Sequence, residues 1–314
     1  MIEYNPSELG KSAREYGFVR DTFEKVLRLK EILAFINTNA YLNSHLALKG
    51  GTAINLTIFN MPRLSVDIDM DFTPNLSLEE MTDAREKIKI LLTSYMADNG
   101  YTLSTASRYS HSLDAFMFHY RNAGGNMDMI KVELNYSLRS HIYTPVTRKI
   151  ITDAFHDSME IRTLTPMEIF AAKANALMNR AAARDLYDFN NMIALGLFDE
   201  TEFEAFRKCI IFYASISAEI INKEFDTSAI DQISFTKIRR DLFPVLCKKD
   251  NFDLESRKSS AKKYIKELMV LTPEEKQYLE LFEAKEYRPE LLFKDAEILN
   301  NIKTHPMALW KMQH

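Results

Sequence analysis

The chain has 314 residues, with 40 Lys plus Arg against 44 Asp plus Glu, so its formal net charge is −4. This balance excludes a uniformly basic nucleic-acid coat protein, and a polyanion would need a local basic patch. With 8 Gly and 9 Pro, collagen-like and low-complexity classes are excluded, and the widely separated Cys209 and Cys247 argue against a disulfide scaffold or zinc ribbon.

The first predicted elements are a helix, a short strand and a second helix. Apolar residues at helical spacing predict a helix over Arg20–Asn39, and Leu46–Leu48 predicts a strand. The strand leads into Lys49-Gly50-Gly51, and Thr52 is the expected N-cap of a helix over 53–59. From residue 64 to 72 apolar residues alternate with aspartates, and this period of two predicts another strand.

The rest of the chain changes from mixed to helical patterns. Ser77 and Glu80 form a capping-box pattern for a helix that reaches about residue 98. Three strands are expected at 101–107, 115–120 and 128–136, with a hairpin turn over 122–126. After residue 166 the pattern is nearly all helical, with helices at 166–180, 182–195 and 202–222. We expect an α/β part over residues 1–160 and a helical part over 161–314.

The Gly50-Gly51-Thr52 turn is the first candidate binding element. Glycines before a helix let backbone N–H groups approach a phosphate closely, while the helix dipole and the Thr52 hydroxyl add attraction. Taken alone, the same residues can equally form an ordinary tight turn.

The acidic strand is the second candidate element. Asp67 and Asp69 are expected on one face, roughly 6.5–7 Å apart, and paired carboxylates repel unless a cation neutralises them. Oxygen ligands suit Mg²⁺ or Mn²⁺, although the strand could instead expose a solvated acidic face. Asp71 is expected at the rim. If the strand containing Glu133 lies alongside, Glu133 adds a third carboxylate for two metals about 3.5–4 Å apart; alternatively Glu133 is a surface residue paired with a lysine.

Two blocks of sequence resemble the AbiEii-type nucleotidyltransferase toxins, the toxin halves of type IV toxin–antitoxin pairs, within the DNA-polymerase-β-like superfamily. The first block is Lys49-Gly-Gly-Thr-Ala53 followed by Arg63-x-Ser-x-Asp-Ile-Asp69. The second runs from Ala171-Ala-Lys173 through Arg180 to Arg184-Asp-Leu-Tyr-Asp188. The resemblance implies an α+β fold, in which a small mixed sheet flanked by helices is followed by a helical domain that contributes Lys173 and Asp188 to the site.

The resemblance also implies a role for each matched residue. Asp67 and Asp69 hold the metal, Lys173 neutralises the triphosphate, and Asp188 orients that lysine or the nucleotide. The implied nucleotide-binding set is Gly50, Gly51, Thr52, Arg63, Ser65, Arg180 and Arg184. Glu133 as a third metal ligand is our extension of this set.

The second block also carries a charge pattern of its own. On one continuous helix at 100° per residue, Lys173, Arg180 and Arg184 would lie within about 20° of one another, with Asp188 about 60° away. Such a cationic stripe fits a nucleoside triphosphate. The alternative is a solvated helix face with an ordinary Arg184–Asp188 pair.

The sequence between 237 and 266 bears on the acceptor, because it holds ten Lys or Arg against four Asp or Glu. Such an excess could follow an RNA backbone, although solvated helix faces explain any single pair. Relatives suggest the tRNA 3′ end as acceptor.

The leading hypothesis is a cytoplasmic, metal-dependent nucleotidyltransferase toxin with an NTP substrate, an antitoxin encoded nearby and no membrane partner. A catalytically inactive nucleotide-binding protein of the same fold is the alternative. A DxD glycosyltransferase finds no support in the Gly-Gly-Thr turn.

Overall fold

The computed structural model describes residues 4–152, 154–155, 158–217 and 221–314. The chain divides into two compact units, which we call unit 1 and unit 2. Unit 1 consists of Met1–Arg139, Pro145–Thr163 and Pro244–Asp250, and unit 2 consists of Ser140–Thr144, Leu164–Phe243 and Asn251–His314. The division of the chain into domains at 1–160 and 161–314 stays a prediction.

Unit 1 is built around a mixed sheet with the strand order β3-β5-β6-β2-β1-β8-β7, in which β4 also pairs with β5. Its strands are β1 Leu46–Lys49, β2 Asp67–Phe72, β3 Thr102–Leu103, β4 Arg108–Tyr109, β5 Leu113–Arg121, β6 Met127–Asn135, β7 Val146–Lys149 and β8 Glu160–Thr163. Its helices are α1 Pro6–Glu15, α2 Arg20–Thr38, α3 Ala40–His45, α4 Gly50–Thr57 and α5 Leu78–Asp98.

Strand β2 has partners on both sides, which fixes the placement of its aspartates. It runs antiparallel to β1 and parallel to β6. Ile68 and Met70 of β2 are buried, as are Val132 and Leu134 of β6. Because side chains alternate across a strand, burial of this apolar set turns the aspartates to the opposite face of the sheet.

Several elements of unit 1 confirm the sequence predictions, and others correct them. The helix after Ser77 has the expected capping box with Glu80, and β5 and β6 form the expected hairpin. The strand expected at 101–107 is only two residues long, because a backbone bond from Ser107 to Ser104 turns the chain into β4. The sequence patterns do not predict helices α1 and α3 or strands β4, β7 and β8.

Unit 2 is helical in the part that the structure describes. Its helices are α6 Pro166–Arg180, α7 Ala183–Leu195, α8 Phe203–Ser217, α9 Ser228–Asp231, α10 Phe235–Asp241, α11 Leu254–Leu268, α12 Pro273–Glu283, α13 Ala296–Ile302 and α14 Pro306–Gln313, with a 3₁₀ turn at Pro289–Leu291. The helix expected at 202–222 begins one residue later, and its stretch at 218–220 lies outside the described residues.

These elements confirm the predicted fold class, an α+β arrangement with a mixed sheet flanked by helices and a helical C-terminal region. Among the residues that the structure covers, no helix is both long and apolar enough to cross a membrane.

Candidate active site

Asp69 lies at the centre of the acidic face of unit 1. In the sheet register it stands opposite Lys49 of β1 on one side and opposite Glu133 of β6 on the other. Asp67, two residues earlier, stands opposite Lys131. The expectation that the Glu133 strand lies beside the aspartate strand is therefore confirmed, and opposed side chains at such positions are close enough to interact.

Burial and the neighbouring carboxylates disfavour the ionised form of Asp69. Burial raises its pKa, the Lys49 ammonium opposes this rise, and Glu133 and Asp67 add to it, so that the pKa reaches about 6. A hydrogen bond between the Asp69 and Glu133 side chains contributes in the same direction. A divalent cation would relieve this repulsion, because it favours the ionised form of every carboxylate near it.

Glu133 shares the properties of both alternatives drawn from the sequence. Its carboxylate is 2.8 Å from the Lys131 ammonium, and it also contacts Asp69. Across the described ranges, no group of three or more His, Cys, Asp and Glu side chains is arranged to hold a metal ion. Lys131 already neutralises part of the Glu133 charge. The role of Glu133 as a metal ligand stays a prediction.

Asp71 corrects the expectation of a rim position. It is buried, and its carboxylate lies 2.5 Å from the Lys49 ammonium. Lys49 stands directly opposite Asp69 but reaches the diagonal neighbour, as long side chains on adjacent strands can. Sequence reasoning assigned no role to Lys49, but it left open that Glu133 pairs with a lysine, and Lys131 is that lysine.

The glycine turn packs directly on the acidic strand. Gly50 has φ +66°, and a methyl group there would come 2.9 Å from a carboxylate oxygen of Asp69. A methyl group at Gly51 would come 2.8 Å from the Arg63 guanidinium and 2.9 Å from the Ser65 hydroxyl. Both positions therefore need glycine, the first for its backbone conformation and both for the close approach. The structure brings Gly50, Gly51, Arg63, Ser65 and Asp69 together in unit 1.

Helix α4 begins at Gly50, which corrects the predicted N-cap. The cap position is Lys49, whose side chain makes no capping hydrogen bond to the helix. Thr52 lies inside the first turn, and its hydroxyl donates to the Asp67 carbonyl. Asn55 donates to the Gly51 carbonyl at 2.8 Å. These two bonds connect the start of the helix to the glycine turn and to the acidic strand.

Arg63 serves as a buried support in unit 1. It is fully buried and donates to the Leu64 carbonyl at 2.9 Å. Because its guanidinium lies against Gly51, it supports the backbone of the turn. A contact between Arg63 and the nucleotide stays a prediction.

Lys173 forms a buried ion-pair cluster in unit 2. Its ammonium lies 2.9 Å from Asp185 and 3.0 Å from Asp188, and the lysine is only 9% exposed. Arg180, which is largely exposed, reaches Asp185 at 3.0 Å. Burial opposes ionisation of Asp185, but Lys173 and Arg180 outweigh it and hold the pKa of Asp185 below its usual range.

The cluster arises differently from the predicted stripe on one continuous helix. Ala181 adopts a left-handed conformation (φ 48°, ψ 56°) and Ala182 is extended, so α6 ends at Arg180 and α7 begins afresh. The angular offsets from Lys173 to Arg184 and Asp188 were therefore wrong. The two helices instead bring Asp185 to Lys173. Sequence reasoning quoted Asp185 in the second motif but gave it no role.

The predicted basic run at 237–266 is divided between the two units. Residues 244–250, which include Lys248 and Lys249, belong to unit 1, and the rest belongs to unit 2. Several cations of the unit 2 part have acidic partners: Arg240 pairs with Asp241, Lys258 with Glu255 and Lys262 with Asp231. The run is therefore less basic in effect than its composition indicates.

The chain matches the family model described as "Nucleotidyl transferase AbiEii toxin, Type IV TA system" over residues 32–279. Among solved structures, MenT4, nucleotidyltransferase toxin Rv2826c from Mycobacterium tuberculosis H37Rv, aligns with a TM-score of 0.66 at 13% identity. The alignment covers 96% of this chain and 99% of that chain, and at such identity it shows a shared fold. No curated protein matches the sequence. The family match confirms the resemblance drawn from the two motifs.

Proposed function

The chain belongs to the AbiEii family of nucleotidyltransferase toxins of type IV toxin–antitoxin systems, and we propose that it transfers a nucleotide from an NTP to an RNA acceptor with the help of Mg²⁺ or Mn²⁺. The observation that carries this proposal is the packing of Gly50 against the Asp69 carboxylate. That contact sets a phosphate-binding type of turn beside a pair of aspartates within unit 1. We propose the tRNA 3′ end as the acceptor and the cytoplasm as the location.

The residues of the acidic face suit a hard divalent cation. Asp67 and Asp69 offer oxygen atoms only, and Mg²⁺ is often held by one or two carboxylates together with substrate phosphates. The raised pKa of Asp69 is the property expected of a carboxylate whose cationic partner arrives with the substrate. When bound, the ion would neutralise charge on the phosphates and favour ionisation of an acceptor hydroxyl. We assign Glu133 a supporting place beside this pair.

The other residues of unit 1 hold the triphosphate. The first N–H groups of α4 have no acceptor within the helix, and they suit the β- and γ-phosphates beside Gly50 and Gly51. Thr52 supports this turn by its bond to the Asp67 carbonyl. Arg63 and Ser65 lie against Gly51 and keep its backbone in place for the nucleotide.

Unit 2 contributes the Lys173 ammonium, which Asp185 and Asp188 hold in place. We propose that Lys173 neutralises the triphosphate as pyrophosphate leaves, with Arg180 and Arg184 in support. Asp185 and Asp188 both contact the Lys173 ammonium, which favours orientation of the lysine over a direct contact between Asp188 and the nucleotide. Transfer then follows by in-line attack on the α-phosphorus, where positioning and charge neutralisation supply most of the catalysis.

The test is incubation of the protein with total RNA, Mg²⁺ and each of the four NTPs carrying ³²P at the α-phosphate. We expect label in RNA with the parent and none above background with Asp69→Asn. The matched control is Asp128→Asn, since Asp128 lies on the same sheet but pairs with Lys25, and it should transfer label like the parent. NTP binding by the parent without any transfer would support the inactive alternative and overturn the proposal.

A further inference from the structure

Three aromatic rings form a chain of contacts on the surface of unit 2. Phe235 opens α10 and Phe243 follows its end, with their ring centroids 5.7 Å apart and their planes nearly perpendicular. Phe243 contacts Phe252 in turn at 6.4 Å. Phe235 is 57% exposed and Phe243 is 39% exposed. Two neighbouring exposed phenylalanines form a contiguous apolar patch, whereas hydrophobic residues exposed singly are common on protein surfaces.

Basic side chains surround these rings on the same helix. Ile238 and Leu242 are buried and anchor α10, so the positions between them face outward. Arg239 and Arg240 are exposed and Lys237 is partly exposed. The one acidic residue of the helix, Asp241, already pairs with Arg240 at 2.6 Å. The exposed surface therefore combines aromatic rings with a positive excess, although the whole chain carries −4.

The same surface continues to α7, which carries the Lys173 cluster partners. Phe252 contacts the buried Tyr187 ring, and the Arg257 guanidinium lies 4.9 Å from the Tyr187 ring centroid and 5.3 Å from that of Phe252. Helix α10 packs against α7, and the hydrogen bond from Arg240, with a smaller contribution from the Arg184 charge, lowers the pKa of Asp241.

We propose that this α10 platform, formed by Phe235, Lys237, Arg239, Arg240 and Phe243, binds single-stranded RNA. Bases can stack on exposed aromatic faces whatever their identity, while Lys and Arg side chains contact the backbone phosphates. The inference rests on the proposed function, because it assigns the platform to the unpaired end of the acceptor. Exposed rings beside a positive excess favour RNA, because RNA offers both bases that stack and phosphates that pair with Lys and Arg; binding of the antitoxin at this surface is the other outcome of the test.

The test is fluorescence anisotropy with a fluorescein-labelled, unstructured RNA oligonucleotide, measured in EDTA without NTP so that binding is separated from catalysis. Phe235→Ala with Phe243→Ala should weaken binding about tenfold. Phe235→Trp should bind at least as well as the parent, because the larger ring still stacks. Trp310→Ala is the matched control, since Trp310 is an aromatic residue of the same unit that is 51% exposed, and its binding should equal that of the parent.

Two further measurements decide what the platform binds. The same RNA annealed to its complement should bind more weakly to the parent. With this duplex, the parent and the double-alanine variant should have the same affinity. Equal binding of single-stranded RNA by the parent and the double-alanine variant would overturn the proposal. Loss of antitoxin binding with RNA binding intact would also overturn it and would assign the platform to the antitoxin. If the parent binds this RNA through the platform yet transfers no label, the proposed function alone fails.

Discussion

Replacing Lys173 by methionine tests whether the unit 2 cluster is a buried, mutually dependent ion-pair network. The substitution keeps most of the side-chain volume but removes the ammonium from Asp185 at 2.9 Å and from Asp188 at 3.0 Å. Both carboxylates are buried. Removing one partner of a buried ion pair costs about 3–5 kcal/mol, because the remaining charge loses its compensation. At about 2–4 °C per kcal/mol, Lys173→Met should lower Tm by roughly 6–20 °C.

Urea unfolding followed by circular dichroism measures this loss directly. Lys263→Met is the control, because Lys263 and Glu267 form an exposed pair at 3.9 Å, and it should change stability by less than about 0.5 kcal/mol. Adding Asp188→Asn to Lys173→Met should recover part of the loss, since one buried charge is removed. If Lys173→Met unfolds within about 0.5 kcal/mol of the parent, the ammonium does not compensate these carboxylates and the reasoning is wrong.

Three other perturbations have defined outcomes. Gly50→Ala should cost about 1–2 kcal/mol for its left-handed backbone and should lower label transfer by more than Tm alone explains, because the methyl group displaces Asp69; equal transfer would contradict this. In EDTA, Asp69→Asn should be more stable than the parent at pH 7.5. The pKa of Asp69 in the folded parent is about 6, above the value of about 3.9 in the unfolded chain. The parent therefore loses stability as pH rises from about 4 to 6, and its stability stays low at higher pH. Thermal scans should show a difference in Tm between parent and variant at pH 7.5 and none at pH 4. The pKa of Asp185 is lowered in the folded protein, so its ionised carboxylate stabilises the fold above its unfolded-state pKa, and this stabilisation is lost as pH falls through its folded-state pKa. Asp185→Asn should therefore reduce the loss of unfolding free energy at acid pH, measured by urea unfolding at a series of pH values.

The acidic face could be predicted from the sequence because its signal is local. Alternation over six residues fixes which side chains of β2 share a face, and the same rule applied to β6 placed Glu133 on the matching face. The pairing of the two strands is non-local, yet their apolar faces must be buried together, and the observed register sets Asp69 opposite Glu133. The lysine alternative for Glu133 matches the observed contact with Lys131, whereas the pairing of Lys49 with Asp71 was missed.

The Lys173 cluster could be predicted only in part. Its helices were expected nearly where they lie, but Ala181 breaks the helix in a left-handed conformation that alanine rarely adopts. The predicted helices at 166–180 and 182–195 already leave residue 181 between them, but the helical-wheel offsets from Lys173 were counted across this break. Strands β7 and β8 were missed because four residues give too little periodicity to separate a strand from a loop.

The central claim is that Lys173 and the aspartates of β2 serve one bound nucleotide. A crystal structure with Mn²⁺ and an NTP whose α–β bridge is a non-hydrolysable methylene group tests it most directly. We predict Mn²⁺ between Asp67 and Asp69 and the Lys173 ammonium within about 3 Å of a phosphate oxygen. A triphosphate seated on the glycine turn with the Lys173 ammonium more than about 8 Å, roughly one Debye length, from every phosphate oxygen would contradict the claim.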